Sequence, residues 1–170
     1  MKTRVITTLC VVFVLGLVTS GSAQLIANSP EDKAFTKIEH ENNLEAKIVL
    51  LLDFERQFPK SKALSDVYRM LSEAYQEKND AAKIIEIGER AIKFNPEDVD
   101  ALLKVSRNLG MRKQELDKAV TYAQRAVDRI HKMKDESAPP EFSDEAQWKK
   151  HLASLEQYAE GVLNYVKRLK

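Results

Sequence analysis

The sequence predicts an all-α fold of antiparallel helix pairs, a short α-solenoid closed by a C-terminal capping helix, and three observations support this prediction. The 170 residues include five glycines, and the alternation of apolar and polar residues that marks β-strands is rare. Apolar residues instead recur at spacings of three and four, which is the period of an amphipathic helix. The connections between these periodic segments are short, and short connections place consecutive helices antiparallel.

The N-terminus has the layout of a secretory signal peptide. Lys2 and Arg4 precede an apolar run at residues 5–18, and small residues follow at 19–23. The run of about 14 residues is shorter than the roughly 20 that a permanent membrane-spanning helix needs. We therefore expect residues 1–23 to be cleaved off after Ala23 and the chain to be periplasmic or secreted. A retained N-terminal anchor is the alternative.

The chain that follows this segment is long enough for one ordinary domain. The formal net charge of the chain is +1, and cleavage would remove the positive charges of Lys2 and Arg4. The remaining chain is nearly neutral, with acidic and basic residues interspersed along it. Such a chain gives no electrostatic reason to expect nucleic acid or an anionic membrane as a partner. Cys10 is the one cysteine and would leave with the signal. We therefore expect an apolar core, without disulfides, to hold the mature fold.

Breaks in the helical pattern divide the chain after the signal peptide into four parts. Residues 24–43 are predicted to be a polar leader followed by a first helical segment, which Ser29 would cap. Residues 44–134 are predicted to form the main helical domain. A proline pair marks a linker at 135–142, and residues 143–170 are predicted to be the capping helix. The amphipathic segments of the main domain are 44–57, 61–78, 81–94, 98–111 and 115–134.

Large and small side chains follow a fixed order over residues 65–98. This order comprises Tyr68, Leu71, Ser72 and Tyr75, followed by Ile84, Gly88, Ala91 and Pro96. It resembles one tetratricopeptide repeat without a gap, although Ile84 and Gly88 depart from the residues usual at their places. Residues 99–133 resemble a second repeat with one extra residue in the turn. Residues 44–61 resemble the end of a preceding repeat, of a kind seen in bacterial envelope proteins.

The resemblance implies a concave binding groove lined by the first helix of each pair. The ligand-facing places of the family fall on Asp66, Arg69, Glu73 and Gln76 in the first repeat, and on Asp100, Leu103, Arg107 and Gly110 in the second. Some relatives bind a C-terminal carboxylate through Lys and Asn at two of these places. Here the two places hold Arg69 with Glu73 and Leu103 with Arg107, so that clamp is absent. A solvated face of mixed charge that binds nothing remains the alternative.

The sequence contains no motif typical of catalysis or metal binding. His40, His131 and His151 lie in different helical segments and outside any metal-ligand spacing. A nucleophile elbow and a glycine-rich phosphate loop are also missing. Acid pairs such as Glu97 and Asp98 lie at helix starts, where they complement the helix dipole. We therefore predict no catalytic residue, no metal ligand and no cofactor.

These patterns predict a non-enzymatic interaction scaffold of the bacterial cell envelope that binds a peptide or protein, of unknown identity, in the groove. The alternative is a structural accessory subunit that packs against a larger partner in an envelope complex. Neither nucleic acid nor a membrane span after signal cleavage is expected. Arrays of fewer than about three repeats are marginal, so the terminal helices or self-association must complete the core.

Overall fold

The chain folds into seven α-helices within residues 25–139, 142 and 144–170, which are the residues that the computed structural model describes. The helices are α1 (Pro30–His40), α2 (Leu44–Gln57), α3 (Leu64–Glu77), α4 (Ala81–Phe94), α5 (Val99–Arg112), α6 (Leu116–Met133) and α7 (Glu145–Leu169). No strand occurs among these residues, and the predicted all-α fold is confirmed. The predicted signal peptide at 1–23, its cleavage after Ala23 and part of the predicted linker lie outside the described residues.

Each helix packs against the next one along the chain, and α7 also contacts α5. Neighbouring helices therefore form pairs in a repeat-like order. Helix α1 packs on α2, so the partial repeat predicted at 44–61 has a helix before it. The described part of the chain thus consists of three pairs followed by the unpaired helix α7.

Polar side chains at the helix starts explain why the helices begin where they do. The carboxylates of Asp80 and Asp98 accept hydrogen bonds from the backbone N–H groups of Lys83 and Ala101, each at 3.0 Å. Asn43 caps α2 in the same way. Such caps satisfy backbone donors that have no partner inside the helix. They also fix the short turns that make successive helices antiparallel.

Small residues allow the central helices to approach closely. A Cβ atom placed on Gly88 of α4 would lie 2.3 Å from Cγ2 of Val105 on α5, so this contact requires glycine. The buried hydroxyl of Ser106 donates a hydrogen bond of 2.8 Å to the carbonyl of Ala119, which joins α5 to α6. The hydrophobic core therefore lies at the interfaces between consecutive helices.

A side-chain network joins the first two helix pairs. The hydroxyl of Tyr68 on α3 donates to Oε1 of Glu55 on α2 at 2.9 Å. Arg90 of α4 donates to Oε2 of the same Glu55 at 2.9 Å. Burial, followed by the bond to Glu55, raises the pKa of Tyr68 to about 12. Tyr68 therefore remains a protonated donor that fixes α3 against α2.

Helix α7 covers one end of the helix array. Its apolar face buries Trp148, Leu152, Ala159, Val162 and Val166. These residues lie within 143–170, the segment predicted to be the capping helix. The Trp148 ring lies 4.8 Å, centroid to centroid, from the ring of Phe142 and stacks on His151. Among the described residues, none of the helices combines the length and apolar character that membrane crossing requires.

Candidate binding groove between α5 and α7

A groove lies between the C-terminal half of α5 and the middle of α7. Its volume is about 730 Å³. We call it the α5–α7 groove, and its lining residues are Arg107, Met111, Ser154, Gln157, Tyr158, Gly161, Val162 and Tyr165. Met111 is 59 % exposed and Tyr158 is 46 % exposed, which is high for side chains of this size and apolar character.

Two glycines shape this groove in opposite ways. A Cβ atom on Gly110 of α5 would lie 2.8 Å from Cγ1 of Val166 and 3.0 Å from Cε1 of Tyr165, so α7 presses directly on α5 there. A Cβ atom on Gly161 of α7 would meet nothing within 4 Å. The contact at Gly110 therefore holds the two helices together, while Gly161 leaves open space in the groove.

Arg107 is the charged residue of the α5–α7 groove. No hydrogen bond or ion pair engages its guanidinium group within the described part of the chain. A guanidinium group carries five N–H donors in a planar fork that matches a carboxylate. Together with the apolar side chains of Met111 and Tyr158, it gives the groove one cationic group on an otherwise mainly apolar surface.

Three other residues predicted as ligand-facing meet in a smaller cleft. Asp66, Arg69 and Asp100 line a cavity of about 150 Å³ between α3 and the start of α5. Arg69 is already paired there with Asp66 at 3.5 Å and with Glu73 at 3.0 Å. Asp100 pairs with Lys104 at 2.8 Å. The charges of this cleft are therefore largely compensated within the chain.

The two cavities lie along the same side of α5. Asp100 and Arg107 are seven residues apart, which is close to two full helical turns. Glu73 and Gln76, also predicted as ligand-facing, are exposed and line a separate depression on α3 with Glu77. The structure thus brings Asp66, Arg69 and Asp100 together but separates them from the groove around Arg107.

The side chain of Leu103 is buried, contrary to the expectation from the repeat pattern that it faces a ligand. Its side chain is 2 % exposed. The reason is that α5 contacts α4, α6 and α7, which leaves little of its surface for solvent. Burying a leucine side chain contributes about 1.5–3 kcal/mol, so this position serves the core.

The sequence pattern missed the half of the groove that α7 contributes. Tyr158 falls on the apolar stripe of α7, which the sequence assigns to the capping face. The structure leaves this ring partly exposed beside α5. The one sign in the sequence was Gly161, because an isolated glycine is unfavourable within a helix and therefore marks a position to examine.

Three side chains able to bind a metal ion also come together on another side of α7. They are His131 of α6 and Glu156 and Glu160 of α7, each offering a ligand atom within 4.8 Å of the others. The sequence contains no local sign of this cluster, because Glu156 and Glu160 lie far from His131 along the chain. The glutamates approach it only through the packing of α7 on α6.

Comparisons of the chain with protein-family models, with curated proteins and with solved structures gave no match. The resemblance to tetratricopeptide repeats therefore stays a prediction, based on the order of residues over 65–133.

Proposed function

We propose that the chain is a non-enzymatic interaction scaffold that binds a peptide or protein segment in the α5–α7 groove. The groove itself is the observation that supports this proposal. Its volume of about 730 Å³ lies within the roughly 300–1,000 Å³ typical of ligand sites. Exposed Met and Tyr together with Arg are residue types enriched in protein interfaces.

The lining residues favour a partner segment of particular chemistry. The unpaired guanidinium of Arg107 suits a carboxylate, and the space over Gly161 beside Tyr158 suits an apolar or aromatic side chain. We therefore propose a segment in which an acidic group lies next to a large apolar side chain. The compensated charges around Arg69 make the α3–α5 cleft a weaker candidate.

The setting of this function is also a proposal. The basic, apolar and small-residue order of residues 1–23 supports export to the periplasm or secretion. The residue order over 65–133 supports a tetratricopeptide-type scaffold of the bacterial cell envelope. A structural accessory subunit, which would pack against a larger partner through a different surface, is the alternative.

Site-specific photo-crosslinking in the native cell separates these two functions. A photoreactive amino acid is placed at Tyr158 in the groove and, as a control, at the exposed Val49 on α2. We expect a discrete crosslinked product from position 158 and none from position 49. Arg107→Ala should reduce the yield at 158 by about tenfold, corresponding to roughly 1.4 kcal/mol, whereas Arg69→Ala should have little effect.

Two results would contradict the groove proposal. A product from position 49 with none from position 158 would favour the accessory subunit. A product from position 158 that persists unchanged in Gly161→Phe, in which a ring fills the open space, would show that the groove is not occupied by the partner.

A further inference from the structure

The cluster formed by His131, Glu156 and Glu160 is independent of the α5–α7 groove. At 100° per residue, Glu156 and Glu160 lie roughly 150° around α7 from Tyr158 and Gly161. They face the C-terminal end of α6, where His131 is located. Whatever this cluster binds, it would not occupy the groove.

The three side chains are arranged like metal ligands. Glu156 and Glu160 are four residues apart and therefore lie on one face of α7, one turn from each other. Nε2 of His131 lies 2.9 Å from Oε1 of Glu156. The three ligand atoms lie within 4.8 Å of one another. Metal–ligand bonds of about 2.0–2.2 Å require ligand atoms about 3.3–3.6 Å apart in a tetrahedral site, which small rotations of these partly exposed side chains can achieve.

We propose that His131, Glu156 and Glu160 form a binding site for a divalent transition-metal ion such as Zn²⁺. The ligand types decide the class of metal, because imidazole nitrogen with carboxylate oxygen suits zinc and its neighbours, while Mg²⁺ and Ca²⁺ prefer oxygen alone. Three protein ligands leave one position for water. His131 and Glu160 are exposed, so solvent reaches that position directly.

Lys134 competes with the metal for Glu156. Its Nζ lies 2.6 Å from Oε1 and 2.8 Å from Oε2 of that carboxylate. Metal binding must therefore displace this ammonium group, which is partly exposed and able to move into solvent. Because the ion would bridge α6 and α7, it should also stabilise the folded chain.

Calorimetric titration of the metal-free full chain with zinc chloride tests the site. We expect one zinc ion per chain, and a zinc-dependent rise in melting temperature. His131→Ala and Glu160→Gln should each weaken zinc binding by about tenfold or more and abolish the rise. Lys134→Met should strengthen binding. His40→Ala is the matched control, since His40 is exposed on α1 and distant in the helix order.

The proposal is overturned if wild-type chain shows no zinc binding at millimolar zinc, or if His131→Ala binds as tightly as His40→Ala. Equal affinity for magnesium chloride would also overturn it, because a site completed by imidazole should discriminate against Mg²⁺. Circular dichroism of each variant confirms that a loss of binding does not come from unfolding, since the substituted side chains are exposed or partly exposed.

Discussion

Asp98 has two roles that oppose each other energetically. Its carboxylate caps α5 by accepting from the N–H of Ala101 at 3.0 Å, and it also lines the partly buried cleft between α3 and α5. Burial, with a smaller contribution from the charge of Asp100, raises the pKa of Asp98 above its ordinary value of 3.8. The cap therefore stabilises the helix while the burial of its charge is unfavourable.

The raised pKa predicts how Asp98→Asn depends on pH. A carboxyl group whose pKa is raised on folding destabilises the folded state when it is ionised, and this cost is absent below the ordinary pKa. Asparagine keeps the cap without the charge. The free energy of unfolding of Asp98→Asn relative to wild type should therefore increase between about pH 3 and about pH 7 in urea titrations.

The control for this prediction is Asp98→Ala, which removes the cap. It should lower the free energy of unfolding by about 1 kcal/mol near neutral pH. If the difference between Asp98→Asn and wild type were the same at both pH values, the carboxyl group would not be perturbed by burial in the folded chain.

At the scale of helices, the glycines differ in how closely the neighbouring helix approaches them. Gly88 lies where α4 meets α5, and an added Cβ would collide with Val105 at 2.3 Å. Gly161 lies on the open side of α7, where an added Cβ would meet nothing within 4 Å. Both glycines lie within helices, but only the packing around Gly88 excludes a larger side chain.

This contrast predicts opposite effects for the same substitution. Gly88→Ala should lower the free energy of unfolding by roughly 1–3 kcal/mol, because the methyl group overpacks the α4–α5 contact. Gly161→Ala should raise it by about 0.5–1 kcal/mol, because alanine loses less backbone entropy on folding. Urea unfolding of both variants measures the difference. Effects of the same sign would contradict the packing described for α4 and α5.

The sequence predicted the helices well because their determinants are local. Caps such as Asp80 and Asp98 and the apolar spacing of three and four both act within one helix.

The site was predicted less completely because it depends on contacts between helices. Leu103 was wrongly assigned to the groove, since its burial follows from the packing of α5 against three helices. The meeting of His131 with Glu160 also arises from tertiary packing and has no local signal.

At the scale of the whole molecule, α7 takes part in both proposed sites through different sides. One side forms the groove with α5 and carries Tyr158. Another side places Glu156 beside His131 of α6. A single terminal helix, held by contacts to α5 and α6, therefore determines both the shape of the groove and the spacing of the metal ligands.

The order of helix contacts also has a consequence for how the chain opens. Helix α1 packs on α2, whereas α5 packs on α4, α6 and α7. Opening of α1 exposes one interface, while opening of α5 must break three. Backbone amides of α1 should therefore exchange hydrogen for deuterium faster than those of α5, as mass spectrometry of native-state exchange can measure. A single rate for both helices would instead mean that the chain opens as one cooperative unit. With graded exchange, unfolding begins at the α1 end, and the half of the molecule that contains both proposed sites opens last.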